Sequence, residues 1–178
     1  MGKTAHQAIT GNVIVQTSDL SIRRRHGRAV NAVADYLRSQ LRVPNIYIDP
    51  SGALLSKVDV LAVDAAGSGD IHAVNVELLT GPKTMSLKVI VAKTLPALLA
   101  HYRYFAIPKN ATNILVGLDL FSDDGIGRVG ILLISESEDQ LPIVELAIKP
   151  ERFRLAANGL TQVERFLNRA KPDMYVRL

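Results

Sequence analysis

Two apolar runs constrain this chain more than any other feature. Residues 57–65 (KVDVLAVDA) and 70–79 (DIHAVNVELL) are rich in Val, Ile and Leu, and only Ala66, Gly67, Ser68 and Gly69 lie between them. Runs of this kind, bounded by small turn formers, read as two strands joined in a hairpin. The remaining segments must then cover both faces of a sheet.

The segments around the hairpin have their own periodicities. A helix is expected over 25–41, where Val30, Val33, Leu37 and Leu41 recur at helical spacing and Pro44 closes the segment. The residues before it read as a polar N-terminal arm, 1–22, with one short strand at 12–16 (NVIVQ), ahead of a single domain over 23–178. Residues 45–49 (NIYID) read as a strand, and Pro50, Ser51 and Gly52 as a turn. Residues 80–94 fit either a strand, through Val89, Ile90 and Val91, or an amphipathic helix, through Lys88 and Lys93. A second helix is expected over 95–106, with Pro96 in its first turn and Pro108 beyond its end. Strands follow at 112–120, 128–136 and 142–148, and a last helix at 161–170, where Thr161 and Glu164 form a capping box. The order is α-β-β-β-α-β, then two more strands and a helix. That is an α/β fold, a mixed central sheet flanked by helices.

A length of 178 residues suits one domain with a core of its own. The chain has no cysteine, which excludes disulfide frameworks, thiol catalysis, zinc ribbons and iron–sulfur clusters. The first residues lack the apolar core of a signal peptide, and His6 breaks the myristoylation pattern that Met-Gly begins. The most apolar stretch is interrupted by Lys93 and Pro96, so no membrane span is expected and the expected compartment is the cytoplasm. Residues 125–130 match G-x-G-x-x-G, but they lead into a strand and not a helix, so a dinucleotide site is not expected there. The four histidines, His6, His26, His72 and His101, fall in separate segments without metal-ligand spacing. They read as surface or lining residues.

The hairpin itself holds the best candidate for chemistry. Asp59 sits early in its first strand, and Asn75 and Glu77 sit late in its second. Strand side chains alternate, so Asn75 and Glu77 share a face, while His72, Val74, Val76 and Leu78 point the other way, towards a helix. Antiparallel pairing brings the start of one strand beside the end of the other, so Asp59 can meet Asn75 and Glu77. Acidic oxygens converging at a sheet edge outline a magnesium site, with Asp59 and Glu77 as ligands. The alternative is that both acids are polar positions on a half-exposed hairpin.

These residues resemble the PD-(D/E)xK nuclease superfamily, the restriction-endonuclease-like fold. The element order resembles that family's core. Residues 57–62 (KVDVLA) resemble its strand with the pattern (R/K)-x-D-V-hydrophobic-A, and residues 69–77 (GDIHAVNVE) its partner strand, which ends in E-x-K. Residues 93–108 look like the helix that follows, and 129–133 like a later strand. The likeness runs over roughly 25–150. It implies a magnesium-dependent nuclease in which the Asp and Glu bind metal and the Lys polarises water. Asp59 matches the first acid, Asn75 falls at the Glu and Glu77 at the Lys. In a second register Glu77 is the acid and Leu79 falls at the Lys, which leaves Lys83, Lys88 or Lys93 to supply the cation. Asp35 is the nearest match to the acid of the first helix.

Charge is unevenly spread. Residues 1–44 hold seven Lys and Arg against two Asp and Glu, and 151–178 hold six against three. The middle, 45–150, holds eight against twelve. Basic ends around an acidic middle suit a surface that faces a polyanion. Arg23, Arg24, Arg25 and Arg28 are the expected DNA contacts, and a basic, solvated helix start is the alternative. The expected function is therefore a DNA-associated protein with a possible magnesium-dependent endonuclease centre at Asp59, Asn75 and Glu77. The alternative is a catalytically inactive nuclease fold that binds nucleic acid or another protein, with homodimerisation through an exposed strand edge as an option.

Overall fold

A six-stranded mixed sheet lies between two helices. The computed structural model describes residues 5–48, 58–64, 67–78, 94, 99–111, 129–136 and 140–169, with side chains from residue 20 onwards. Helix α1 (Ala5–Ser39) is followed by strands β1 (Asn45–Ile48), β2 (Val60–Val63), β3 (Ile71–Val76), β4 (Tyr102–Pro108), β5 (Gly130–Ser135) and β6 (Ile143–Ile148), then by helix α2 (Ala157–Leu167). The strands lie side by side in sequence order. β1, β2 and β3 run antiparallel in turn, β4 and β5 run parallel to β3, and β6 returns antiparallel. Among the described residues no helix is long and apolar enough to cross a membrane.

Alternation along the strands divides the core in two. Val30, Val33, Ala34 and Leu37 of α1 pack on Val60, Ala62, Val74, Val76, Ala106, Leu132 and Ile134. Val163 and Phe166 of α2 pack on the opposite face with Leu61, Ala73, Phe105, Ile107 and Ile131. Both faces are covered, so the central strands are apolar at nearly every position, as sheets buried on both sides are. Leu37 is fully buried, and emptying such a site to Ala costs about 2–5 kcal/mol.

The hairpin forms as its sequence suggests. Val60 pairs with Val74 and Ala62 with His72. Asp64 organises the turn: its carbonyl oxygen accepts from Gly69 N at 2.9 Å, and its Oδ2 accepts from Ser68 N at 3.1 Å. Gly69 adopts a φ of +72°, which glycine tolerates without strain.

Three expectations are corrected. Residues 12–16 are helical, not a strand, because α1 starts at Ala5, and the boundary expected after residue 22 falls inside it. Once a helix is nucleated, each further residue adds a hydrogen bond, and a short β-branched run does not stop it. The second half of the helix expected over 95–106 is strand β4. Tyr104, Phe105, Ala106 and Ile107 are buried on both faces of the sheet, and a continuous apolar run has no period by which to tell strand from helix. Helix α2 begins at Ala157, with Ala156 as an N-cap that makes no side-chain bond. Thr161 is inside the helix, where its Oγ1 donates to Ala157 O at 3.1 Å. Burial of Gly159, Val163 and Phe166 sets that start, not the capping box. The strand expected at 112–120 and the stretch 80–93 lie outside the described residues; Thr94 is helical.

Gly130 opens β5 beneath an aromatic ring. A Cβ there would meet Tyr104 Cδ1 at 2.5 Å and Pro150 Cδ at 2.9 Å. Gly130→Ala is expected to lower stability by about 1–3 kcal/mol, the range for an overpacked core, read as a lower urea midpoint. An unchanged midpoint would mean that the Tyr104 ring moves aside.

Candidate functional site

Asp59 precedes β2 and continues its ladder, its N–H donating to Val74 O at 3.0 Å. This position turns its carboxylate towards the end of β3. Oδ2 accepts from Val76 N at 2.7 Å and from Asn75 Nδ2 at 3.3 Å. Asn75 is buried, at 4% exposure. Glu77 follows β3, half-buried, and its N–H donates to Ala106 O at 2.9 Å. The hairpin register thus brings Asp59 and Asn75 into contact and sets Glu77 two residues further along the same strand end.

A fourth residue completes the group, and it comes from α1. His26 Nε2 lies 3.3 Å from Asp59 Oδ1. His26 is one turn before Val30 on the stripe that packs against the sheet, so it reaches past the last apolar contacts to the strand end. The hydrogen bond to Asp59 raises its pKa above the ordinary 6.5. Burial pulls the other way, while the charges of Asp59 and Glu77 and a backbone bond at Val76 add to the rise. The periodicity of Val30, Val33 and Leu37, extended four residues back, is the signal that leads to His26.

The four arginines lie on one stretch of α1. Arg25 pairs with Glu136, and Arg28 donates to Gln140 O, so both tie α1 to the connection between β5 and β6. Arg23 and Arg24 are exposed, three and two residues before His26. Asp35 lies at the helix surface, 3.4 Å from Arg38 Nη1. Lys83, Lys88 and Lys93 lie outside the described residues.

At the opposite end of the strands Asp70, buried, receives Arg152 through Nε at 3.0 Å and Nη2 at 2.9 Å. Burial pushes the Asp70 carboxyl up, but hydrogen bonding to Ser68 and Arg152 outweighs it, and the net pKa is low. His101 Nδ1 accepts from Ile71 N at 3.0 Å, which leaves that nitrogen unprotonated. Burial first, then Arg152, lower the His101 pKa. His72 stacks on Tyr102 with ring centroids 4.8 Å apart, and burial pushes it down to about 4. His72 and His101 are therefore neutral near pH 7, whereas His26 is shifted towards its charged form.

Among the described residues no group of three or more His, Asp or Glu side chains is gathered to hold a metal ion. At the Asp59 end, Asn75 presents its NH2 to the carboxylate and His26 faces the second oxygen. Asp59 thus meets nitrogen donors at both oxygens, whereas magnesium takes oxygen ligands in near-octahedral array.

No family model and no curated protein matches the chain. Among solved structures, a protein of unknown function from Silicibacter pomeroyi is similar over 78% of this chain and 80% of its own, with 15% identity and a TM-score of 0.46.

The raised pKa of His26 has a directional consequence for stability. A base whose folded pKa is raised contributes fully below its unfolded pKa, near 6.5, and that contribution is lost as pH rises through the folded value. The His26 ring resonances are expected to titrate above pH 6.5 in NMR spectra, and lower in Asp59→Asn. Urea midpoints should fall from pH 6 to pH 8.5 more in the native protein than in His26→Gln. Equal pH slopes in the two would contradict the pairing.

Proposed function

We propose that the protein binds DNA through the strand end that carries Asp59, with a nuclease-like sheet as the scaffold and α1 as the element that meets the phosphate backbone. The observation that carries this reading is the attachment of α1 to that end. His26 joins Asp59 at 3.3 Å, and the exposed Arg23 and Arg24 lie three and two residues before it. The helix that begins the chain is thereby fixed beside the hairpin whose residues resemble the PD-(D/E)xK motif. Arg25 and Arg28 add a second attachment, at the β5–β6 connection.

In this reading the contacts are with phosphate and carry no base sequence. Each guanidinium that meets a phosphate releases condensed counterions, so affinity falls with salt. Arg23 and Arg24 are exposed on α1 and are the proposed contacts, while Arg25 and Arg28 also tie the helix to the β5–β6 connection.

Fluorescence anisotropy with a duplex oligonucleotide tests this. Affinity is expected to drop steeply between about 50 and 200 mM salt. Replacing both Arg23 and Arg24 with Ala should weaken binding similarly for all sequences and flatten the logarithmic salt slope by about two. Lack of binding to duplex or single-stranded DNA at low salt would sink the reading. An unchanged salt slope in the double variant would remove these arginines from the interface.

A further inference from the structure

We infer that the imidazole of His26 takes the place of a divalent metal ion at Asp59, so that this strand end is a fixed joint between α1 and the hairpin. The inference deepens the DNA-binding reading, and its consequence for DNA rests on that reading: the protein would hold DNA without needing magnesium.

The donor directions around Asp59 carry it. A carboxylate offers about four acceptor directions. Two at Oδ2 receive Val76 N at 2.7 Å and Asn75 Nδ2 at 3.3 Å. Oδ1 faces His26 Nε2 at 3.3 Å. A magnesium ion bound by this carboxylate would sit about 2.0–2.1 Å from an oxygen and would keep a nearly full shell of further oxygens. The imidazole stands on the Oδ1 side, where such a shell would have to form. Asn75 directs its NH2 to Asp59 and so fills one of the carboxylate's acceptor directions. Glu77 lies close enough to act on His26 electrostatically, yet no three acidic or imidazole groups gather as ligands among the described residues.

The same geometry gives the joint a purpose. Arg23 is three residues before His26, so the two lie on neighbouring positions of one helix face. The apolar contacts of α1 begin at Ala29 and Val30, and Arg25 and Arg28 tie the preceding turn to the β5–β6 connection but not to the hairpin. The tie of His26 to Asp59 joins that turn to the hairpin.

Titration of Mn2+ into the full chain, followed by water proton relaxation, tests the inference directly. The native protein is expected to show no saturable uptake at millimolar Mn2+. His26→Ala, which opens Oδ1, should gain weak uptake, and adding Asp59→Asn should abolish it. His26→Gln, closer in size to the native residue, serves if His26→Ala does not fold. Saturable binding by the native protein that Asp59→Asn removes would overturn the inference. So would a folded His26 variant that takes up no Mn2+. In parallel, DNA affinity at matched ionic strength should be equal in EDTA and in Mg2+, and a tenfold gain with Mg2+ would also overturn it. If no DNA binds under either condition while the Mn2+ results are as expected, the DNA reading fails and the joint stands.

Discussion

Coverage of both faces of the sheet is the constraint on which everything else depends. α1 takes one face and α2 the other. Strands β2 to β5 therefore have no solvated side, and a charged group placed in their middle would lose its hydration without a partner. The two carboxylate groups lie at the strand ends, and the one buried arginine of β4, Arg103, is covered by the Phe153 ring. Asp59, Asn75 and Glu77 collect at one end of the hairpin, and Asp70, His101 and Arg152 collect at the other. The two groups differ in what they join. Arg152 brings the segment before α2 to the sheet, and His26 brings in α1.

Each end group is stabilised by pairing a buried or half-buried charge with donors that are already in place. Asp59 lies 13% exposed and Asp70 11% exposed, so neither carboxylate is free to drop its partners at low cost. At the Asp70 end the partner is an arginine, which is always charged, and the nearby histidine stays neutral. At the Asp59 end the partner is a histidine, so the strength of that pairing changes with pH while the other does not. One end of the sheet is thus held by a partner that stays charged near neutral pH, and the Asp59 end by a group that titrates.

The fold is legible in the sequence wherever a period is present. The hairpin shows because Asp64, Gly67 and Gly69 punctuate two runs of β-branched residues, and α1 shows because Val30, Val33 and Leu37 repeat with a helical step. β4 is not legible. Its residues are apolar at successive positions because they face α1 and α2 alternately, and that burial erases the period that separates strand from helix. The meeting of Asp59 with Asn75 follows from hairpin pairing alone. His26 does not follow from pairing, because it arrives from a segment more than thirty residues away. Its only mark in the sequence is its place on the apolar stripe of α1. Arg25 and Arg28 have a role that local charge density does not show: only tertiary structure brings Glu136 and Gln140 to those two side chains.

A histidine on a helix's buried stripe usually has to be neutral, since burial alone lowers its pKa, as it does at His72. His26 is the exception because the stripe ends there. Val30 is fully buried, while His26, one turn earlier, keeps 28% of its side chain exposed. That partial exposure limits the cost of charging the ring, and the Asp59 carboxylate lies within hydrogen-bonding reach. A charged ring at this point brings positive charge to the strand end that carries Asp59 and Glu77.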